Sequence, residues 1–398
     1  MTADLPIASA DASSAADRPR VAVVHGTLRV PPTYFTIQHA VPLADRFDFT
    51  FFALATDVAE GASPFPVVDA LGLHGRPFRE REFLLPLVLG RLASAVEYFD
   101  PALVHQHFGT WSLPARRSVR RLRVPLVATL HGSDVFTSSY TGRDPRYRWH
   151  RANLAGVYAE ADRILCVSRF LADAAVAAGA PPERVEVHHQ GIDTDFLTPA
   201  DPGASADRGP GPSATSTGGP PRVVFVGRLA AYKGVPDLVE ASSALRARGV
   251  EHELVLVGDG PLRAELDALS EREQHVGVTG SLDRVGVREQ LRAAHVVALP
   301  STPREAAGLV LLEAQACGVP VVAYDGGGKP EMLRPGATGL LATQGDAADL
   351  AVRLEELLTL PAADHETMGR AAREFVVAER SLAVSAERLG EQYRSLLG

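Results

Sequence analysis

Short apolar runs alternate with longer amphipathic stretches along most of the chain. Stretches such as LVLGRLASAVEYF and VPDLVEASSALRARG have the apolar spacing of helices. The runs between them that predict strands are RVAVVHG, FDFTFFAL, LVHQHF, PLVATLHG, RILCVS and VEVHHQG in the first half, and RVVFVGRL, HELVLVGDG, HVGVTGS, HVVALPS and VPVVAYDGGG in the second. Buried strands that alternate with helices are typical of parallel sheets covered by helices, so the pattern predicts an α/β fold.

The chain has 398 residues, which is too long for one ordinary core and favours two domains. Between the halves, the segment TPADPGASADRGPGPSATSTGGPPR is rich in Pro, Gly and Ser and has no apolar period. We predict two Rossmann-like domains that face each other, with a ligand at the carboxyl ends of their strands. The predicted divisions are a disordered tail (1–19), a first domain (20–197), a linker (198–221), a second domain (222–375) and a C-terminal helix that packs back on the first domain (376–398).

Composition narrows the class of protein further. Hydrophobic residues make up 46% and charged residues 22%, which is typical of a globular protein, and the net charge of -8 argues against broad nucleic-acid binding. Cys166 and Cys317 lie in apolar segments, so we expect buried thiols. The N-terminus does not resemble a secretory signal, and no apolar run reaches the length of about 18 residues that spans a bilayer. These observations favour a cytoplasmic enzyme.

Two cations stand where a strand gives way to a helix in FVGRLAAYKGVPDLVEA. Arg228 follows the strand and Lys233 precedes the helix, a placement that suits a pyrophosphate. The alternative is that both are solvated surface charges. Only Lys233 and Lys329 among the 40 basic residues are lysine, so a lysine at position 233 favours the functional interpretation. For Lys329 the sequence leaves a functional and a structural role equally open.

Two carboxylates stand in the otherwise apolar segment REAAGLVLLEAQACGVPVVA. Glu305 lies in the predicted loop, and Glu313 lies about one turn into the following helix. The amides of Gly308, Leu309 and Val310 are free donors at the start of that helix. A carboxylate accepts hydrogen bonds from vicinal hydroxyls such as those of a ribose. We therefore predict that both glutamates face a ligand, against the alternative of a loop charge and a helix cap.

A histidine loop, HGSDVF, follows a strand of the first half. It places His131 and Asp134 at the carboxyl edge of the first sheet, where an imidazole can donate to a sugar hydroxyl or a phosphate. His105 and His107 lie on one face of the preceding strand, and we expect them to pack or to support His131. A suitably spaced third ligand is lacking, so no metal site is predicted.

These motifs together resemble the family-4 glycosyltransferases of GT-B fold. The resemblance covers about residues 20 to 395 and is carried by VFVGRLAAYKGVPDLVEA, LVLVGDGPLR, VTGSL, VVALPSTPREAAGLVLLEAQACGVPVVAYDGGGKPEML, GATGLL, HGSDVF and HHQGIDTDFLTP. It implies a hexosyltransferase that moves a sugar, with retention of configuration, from a nucleoside-diphosphate sugar to a hydroxyl of a natural-product or glycan acceptor. The resemblance also implies that neither a metal nor another cofactor is needed.

The resemblance implies a role for each matched residue, and it makes His131, Arg228, Lys233 and Glu305 the catalytic set. The implied contacts are the diphosphate for Arg228 and Lys233, the ribose for Glu313, the base for the backbone of Leu282, the donor sugar for Glu305, the phosphate for the amides of Gly308, Leu309 and Val310, and the sugar or its phosphate for His131.

This sequence departs from the family pattern in two places. Ala306 and Ala307 stand where the family usually has Gly-Phe, and the first loop, HGTLRVPPTYF, has one glycine and two prolines where a glycine pair is usual. Thr27 and Asp134 are the candidates for acceptor-side residues. Three alternatives remain open: a sugar-nucleotide epimerase, a phosphorylase or trehalose-forming enzyme, and a non-catalytic sugar-nucleotide-binding protein on the same fold.

The segment PARRSVRRLRVPL places four arginines at helical spacing. Arg116 and Arg120 are four residues apart, as are Arg117 and Arg121. Such a basic face suits anionic lipid headgroups and predicts peripheral contact with the inner face of the membrane, while an ordinary solvated face is the alternative.

Overall fold

The computed structural model describes residues 18–30, 34–59, 61–72, 84–137, 144–200 and 219–398. Almost all of the predicted tail and most of the predicted linker therefore lie outside the described residues. The chain divides into two compact units, which we name unit 1 and unit 2. Unit 1 comprises Met1–Cys166, Ala172–His188 and Ala386–Gly398, and unit 2 comprises Val167–Leu171 and His189–Ser385.

Unit 1 is built on a parallel sheet that has seven strands within the described residues. The strands are β1 (Arg20–Val30), β2 (Asp48–Val58), β3 (Val67–Asp69), β4 (Leu103–His107), β5 (Leu126–Leu130), β6 (Arg163–Cys166) and β7 (Val185–Val187). Their order in the sheet is β3-β2-β1-β4-β5-β6-β7. The order reverses between β1 and β4, and such a switch point is where ligands bind in open α/β sheets.

β1 is longer than the sequence pattern predicts. It continues past His25 to Val30 and stays paired with β2, with Thr27 opposite Ala55, but its pairing with β4 ends at Val24. Thr27 therefore lies in a strand and not in the predicted loop. The physical reason is that TLRV continues the strand-forming sequence, and the prolines that follow β1 are the first strong break.

The helices of unit 1 cover the sheet and close its core. They are α1 (Tyr34–Ala40), α2 (Leu89–Phe99), α3 (Leu113–Leu122), α4 (Ser133–Thr137), α5 (Pro145–Glu160) and most of α6 (Arg169–Ala177) and α13 (Leu382–Leu397). Tyr393 of α13 is buried against Phe47, and its hydroxyl forms a hydrogen bond of 2.5 Å with Nδ1 of His105. The last turns of α13 thus belong to the core of unit 1.

Unit 2 repeats the architecture with a parallel sheet that has six strands among the described residues. They are β8 (Arg222–Val226), β9 (Glu253–Val257), β10 (Val276–Gly280), β11 (Val296–Leu299), β12 (Val321–Asp325) and β13 (Gly339–Thr343), in the order β10-β9-β8-β11-β12-β13. Its helices are α7 (Val235–Ala247), α8 (Arg263–Arg272), α9 (Arg284–Arg292), α10 (Leu309–Ala316), α11 (Ala347–Leu358) and α12 (Ala362–Glu379). The switch point of this sheet lies between β8 and β11, which pair at Val296–Val223 and Val297–Val224.

Candidate functional site

The loops that follow β8 and β11 carry the predicted donor-binding residues of unit 2. Because parallel neighbours end at the same edge of the sheet, these loops meet at the switch point. The β8 loop ends at Gly234, which has φ of +73° and whose added Cβ would lie 1.8 Å from the carbonyl oxygen of Pro300. The amide of Thr302 donates to the carbonyl of Tyr232 at 2.9 Å. Close backbone contact therefore ties the two loops together.

Lys233 and Glu305 form an ion pair across this junction. Nζ of Lys233 lies 2.6 Å from Oε2 of Glu305, and the two side chains are 23% and 17% exposed. An ammonium has three N–H donors and a carboxylate has two oxygens, so each group keeps hydrogen-bonding capacity beyond the pair. The arrangement can bind an anion on Lys233 and a hydroxyl on Glu305 at the same time.

α10 begins where the sequence predicts, directly after Gly308. Gly308 has φ of +86°, and an added Cβ there would lie 2.7 Å from Cδ2 of Leu299 and 3.7 Å from Cγ of Glu305. The amides of Gly308, Leu309 and Val310 thus start a helix beside Glu305, and such amides favour an anion. Glu313 lies in the second turn and is half-buried.

Arg228 and Leu282 lie at the same edge of the sheet, at the carboxyl ends of their strands. Arg228 follows β8 and is exposed, whereas Leu282 follows β10 and is 36% exposed. The two glycines of LVGDG, Gly258 and Gly260, pack closely under the Arg228 loop. An added Cβ on Gly258 would lie 1.9 Å from the carbonyl of Gly227, and one on Gly260 would lie 2.4 Å from that of Leu229.

Lys329, which the sequence leaves open, is fully buried. Its ammonium donates to the carbonyls of Ser301 at 2.6 Å and Thr302 at 3.2 Å, and its Nζ lies 3.4 Å from Oε1 of Gln344. Burial lowers its pKa to about 8, although the nearby Glu305 carboxylate opposes that effect. The structure thus gives Lys329 no direct access to a ligand and places it under the Glu305 loop.

A second cluster lies in unit 1, at the carboxyl ends of β4 and β5 and beside the middle of β1. His131 follows β5 as predicted, and its Nε2 lies 3.0 Å from Nδ1 of His107. The ring of Phe108, whose backbone has φ of +60°, lies 4.3 Å from that of His131. Burial among other imidazoles, His25 included, lowers the pKa of His131 to about 3, so it is neutral at physiological pH. His107 supports His131, as the sequence suggested.

Asp134 has a different place from the one predicted. It is 1% exposed, and its carboxylate accepts from the amides of Gly109, His131, Gly132 and Val135 at 2.9–3.2 Å. Burial raises its pKa even though these amides favour the carboxylate. Asp134 therefore holds the backbone of the His131 loop in place. It has no exposed oxygen with which to contact an acceptor, so the expected acceptor-side role does not fit its position.

The basic face predicted on α3 is partly consumed by ion pairs within unit 1. Arg116 is 12% exposed and donates through Nε and Nη2 to Glu160 of α5, and Arg120 binds the same carboxylate. The guanidinium of Arg116 occupies the space beside Gly156, where a Cβ would lie 1.9 Å from its Cζ. Arg117 and Arg121 remain exposed, Arg121 beside Glu97 at 3.4 Å. The predicted four-arginine surface is thus wrong for Arg116.

The sequence missed Glu331, two residues beyond Lys329. It accepts from the amides of Arg169 and Phe170 at 2.8 and 3.0 Å and lies 2.9 Å from Nε2 of His189, so it joins separate segments of unit 2. Both cysteines are buried free thiols, as predicted. Among the residues that the structure describes, no group of three or more His, Cys, Asp or Glu side chains is arranged to hold a metal ion. In the same part of the chain, no helix is long and apolar enough to cross a membrane.

The chain matches two family profiles that together cover most of its length. Residues 33–196 match "Glycosyltransferase Family 4", and residues 212–375 match "Glycosyl transferases group 1". A D-inositol 3-phosphate glycosyltransferase of Mycobacterium sp. (strain JLS) is 33% identical over 326 residues, which cover 79% of this chain and 70% of the relative. A GDP-mannose-dependent monoacylated alpha-(1-6)-phosphatidylinositol monomannoside mannosyltransferase of Corynebacterium glutamicum is 32% identical over 271 residues, covering 66% of this chain and 68% of the relative.

The fold has counterparts among solved structures. Anabaena HepE, whose crystal structure was determined in complex with UDP-glucose, superimposes with a TM-score of 0.74 at 21% identity, covering 95% of this chain and 100% of that one. At this identity the likeness establishes the fold, which is the α/β GT-B fold with two Rossmann-like sheets. The sequence matches establish the family: the chain is a glycosyltransferase and belongs to glycosyltransferase family 4.

Proposed function

We propose that the protein transfers a sugar from a nucleoside-diphosphate sugar to an acceptor hydroxyl, with retention of configuration and without a metal. The observation that carries the proposal is the Lys233–Glu305 pair, which stands at the β8–β11 switch point beside the first amides of α10. A cation, a carboxylate and a helix start in one place are complementary to a phosphate joined to a sugar.

The donor would be held by groups of unit 2. The N–H donors of Lys233 that Glu305 does not use, the exposed guanidinium of Arg228 and the amides that begin α10 bind the diphosphate. Glu313 takes the ribose hydroxyls, the backbone at Leu282 meets the base, and the second oxygen of Glu305 accepts from a hydroxyl of the donor sugar. These roles follow the family resemblance.

The reaction needs stabilisation of the leaving group more than it needs a protein nucleophile. The bond between the anomeric carbon and the diphosphate oxygen breaks, and a bond to the acceptor oxygen forms on the same face of the sugar. The acceptor proton passes to the departing phosphate oxygen. Negative charge grows on the diphosphate, where Lys233, Arg228 and the helix amides stabilise it, and such preorganised electrostatics is usually the largest catalytic contribution.

His131 would contribute as a neutral group. Because its pKa is lowered to about 3, its imidazole has one N–H group and one acceptor nitrogen and carries no charge. The resemblance implies that His131 contacts the donor sugar or its phosphate. Phe108 and His107 fix the orientation of the ring, which suits a donor that must be aimed before the substrate arrives.

Relatives guide the choice of substrates to test. HepE was crystallised with UDP-glucose, the Corynebacterium relative is named for GDP-mannose, and the Mycobacterium relative is named for D-inositol 3-phosphate. UDP-glucose, UDP-galactose, UDP-N-acetylglucosamine and GDP-mannose should therefore be offered with D-inositol 3-phosphate, simple glycosides and phenolic or polyketide alcohols.

The decisive assay is release of nucleoside diphosphate together with the anomeric configuration of the product by NMR, with and without EDTA. We expect acceptor-dependent release, a product with the donor's configuration and no effect of EDTA. Lys233→Met should lower turnover by at least about 100-fold, whereas Arg370→Met on the exposed surface of α12 should not change it. Inverted product, loss of activity in EDTA or near-normal turnover of Lys233→Met would each contradict part of the proposal. A donor epimerised without acceptor would indicate the epimerase alternative.

Peripheral membrane contact is a separate proposal and now rests on Arg117 and Arg121. Vesicles of phosphatidylcholine with 30 mol% phosphatidylglycerol, compared with pure phosphatidylcholine, test it by sedimentation. Binding that needs the anionic lipid and is lost in Arg117→Ala with Arg121→Ala supports it. Equal sedimentation with both vesicles removes it.

A further inference from the structure

Lys329 is a buried cation that the proposed reaction does not use. It is 0% exposed. The carboxylate that stabilises its charge most, Glu305, is already paired with Lys233. Its ammonium donates hydrogen bonds to the carbonyls of Ser301 and Thr302 and to the side-chain oxygen of Gln344. Burial of an ammonium is unfavourable unless hydrogen bonds compensate it, and here those bonds join the Ser301–Thr302 peptide to Gln344.

The carbonyl of Ser301 and the amide of Thr302 belong to one peptide group. The carbonyl accepts from Lys329 at 2.6 Å, and the amide donates to the carbonyl of Tyr232 at 2.9 Å. A cation on the oxygen polarises the peptide and strengthens the hydrogen bond that its N–H makes. The charge of Lys329 is therefore transmitted through one peptide to the residue that directly precedes Lys233.

The neighbours of Lys329 hold the other end of the same loop. The amide of Gly328 donates to the carbonyl of Glu305 at 2.8 Å. An added Cβ on Gly327 would lie 2.5 Å from that carbonyl, and one on Gly328 would lie 1.9 Å from the carbonyl of Ala306. The segment from Gly327 to Lys329 thus clamps the Glu305 loop at both ends.

We propose that Lys329 is a positioning residue: its charged ammonium holds the loop of residues 301–305 against the β8 loop and so fixes the Lys233–Glu305 pair for donor binding. The clamp is a property of the unliganded protein, and only its effect on the donor rests on the proposed function. The ammonium donates three hydrogen bonds, whereas the neutral amine has two N–H groups and weaker donors, so loss of the proton loosens the clamp.

The charges that act on Lys329 place this change in an accessible range of pH. Glu305 and Asp325 stabilise the ammonium, while burial and Lys233 destabilise it, which gives the pKa of about 8. The clamp is therefore intact below this pH and is lost as the pH rises through it. If only the charged form binds donor, affinity at pH 9 falls up to about tenfold relative to pH 7.

Because Lys233 and Lys329 are the only lysines in the chain, the test can observe each one directly. Protein labelled with ¹³C at the lysine ε-carbon gives two side-chain signals, which Lys233→Arg and Lys329→Met assign. We expect the Lys329 signal to titrate near pH 8 and the Lys233 signal to shift with the same midpoint. In Lys329→Met the Lys233 signal should show no inflection there. A Lys233 signal that ignores the Lys329 midpoint overturns the proposal.

The dissociation constants of UDP, GDP and ADP, measured between pH 6.5 and 9, supply the second readout. We expect the nucleotide that binds wild type to lose affinity above pH 8, and Lys329→Met to bind weakly at every pH. If wild type binds the nucleotide with the same affinity at every pH and Lys329→Met keeps that affinity, the positioning role is overturned and the proposed function stands. Coupled lysine signals in a protein that binds no nucleotide instead sink the proposed function and leave the clamp. If Lys329→Met does not fold, the positioning role is decided by two other measurements. One is the titration of wild type, with signals assigned from Lys233→Arg, and the other is the same set of measurements on Lys329→Gln.

Discussion

Nζ of Lys233 lies 2.6 Å from Oε2 of Glu305, although the residues are 72 positions apart in the chain. They occupy the loops after β8 and β11, the two strands between which the strand order of the unit 2 sheet reverses. The family resemblance assigns the lysine to the diphosphate and the glutamate to the sugar. Their contact means that each group orients the other before a donor binds.

This contact predicts that the effects of replacing the two residues are not additive. Lys233→Met leaves the Glu305 carboxylate unpaired beside the diphosphate, where it repels the donor. We expect Lys233→Met to weaken nucleotide binding about 100-fold and Glu305→Gln about 10-fold. The double variant should bind better than the product of the two effects, because the repulsion has gone. A double-mutant cycle by isothermal titration calorimetry measures the coupling.

Arg370→Met serves as the control for that cycle, since Arg370 is an exposed residue of α12. Strictly additive losses would mean that Lys233 and Glu305 do not cooperate in donor binding. The ion pair would then be only a feature of the unliganded protein.

Gly234 should tolerate no side chain. Gly234→Ala combines φ of +73° with a Cβ 1.8 Å from the carbonyl oxygen of Pro300, whereas Gly336→Ala has φ of +78° and nothing within 4 Å. We expect Gly336→Ala to cost about 1 kcal/mol of unfolding free energy and Gly234→Ala clearly more. Only Gly234→Ala should also abolish nucleotide binding, because it separates the two loops. Equal losses in urea unfolding would show that the clash is relieved without moving the loops.

Unit 1 should be unstable to acid. Burial lowers the pKa of His25 to about 3 and of His39 to about 4, and it lowers the pKa of His105 and His107 in the same direction. The unfolded chain takes up these protons near pH 6.5 and the folded unit does not, so stability falls as the pH drops below 6.5. By pH 5 His25 and His39 alone cost about 2 kcal/mol each.

Both tryptophans of the chain lie in unit 1, so urea unfolding followed by intrinsic fluorescence reports on this unit. His25→Leu is the matched variant, since neither ring nitrogen of His25 has a hydrogen-bond partner among the described residues. We expect it to be at least as stable as wild type at pH 7 and to lose less stability at pH 5. A stability that does not change between pH 7 and pH 5 would contradict neutral, buried imidazoles.

Arg116 and Arg117 are adjacent residues with opposite expected effects. Arg116→Ala removes a nearly buried guanidinium from Glu160 and leaves space beside Gly156, so we expect a loss of about 2–4 kcal/mol. Arg117→Ala, at an exposed position, should stay within about 0.5 kcal/mol. Fluorescence-detected urea unfolding compares them, and similar midpoints would mean that the ion pairs of Glu160 contribute little.

The sequence predicted what depends on local pattern. Apolar runs located most of the strands, and the change from a loop to an apolar helix located the start of α10 at Gly308 and Leu309. β3 and β13 were missed as strands. The extension of β1 to Val30 was missed because HGTLRVPPTYF was interpreted as a loop, whereas TLRV continues the strand and pairs with β2.

The partners of charged residues could not be predicted, because they join positions far apart in the chain. Asp134 reads as a cleft carboxylate in HGSDVF, yet four backbone amides use it, one of them from Gly109. Arg116 reads as part of a basic stripe, yet Glu160 takes it into the interior. The scarcity of lysine did identify Lys233 and Lys329 as unusual, but only the structure separates the partly exposed lysine, which pairs with Glu305, from the buried one.

A thermal-shift panel of UDP, GDP, dTDP and ADP with their common sugar conjugates tests directly whether the Lys233 site binds a nucleotide-sugar donor. It should be run on wild type, Glu313→Ala, Lys233→Met and the control Arg370→Met. A ligand at about 100 times its dissociation constant adds about 2.7 kcal/mol of stability, which is readily seen as a raised midpoint. We expect one nucleotide to stand out in wild type and Arg370→Met and to lose its effect in the other two variants. No shift with any nucleotide, or a shift unchanged in Lys233→Met, would contradict it.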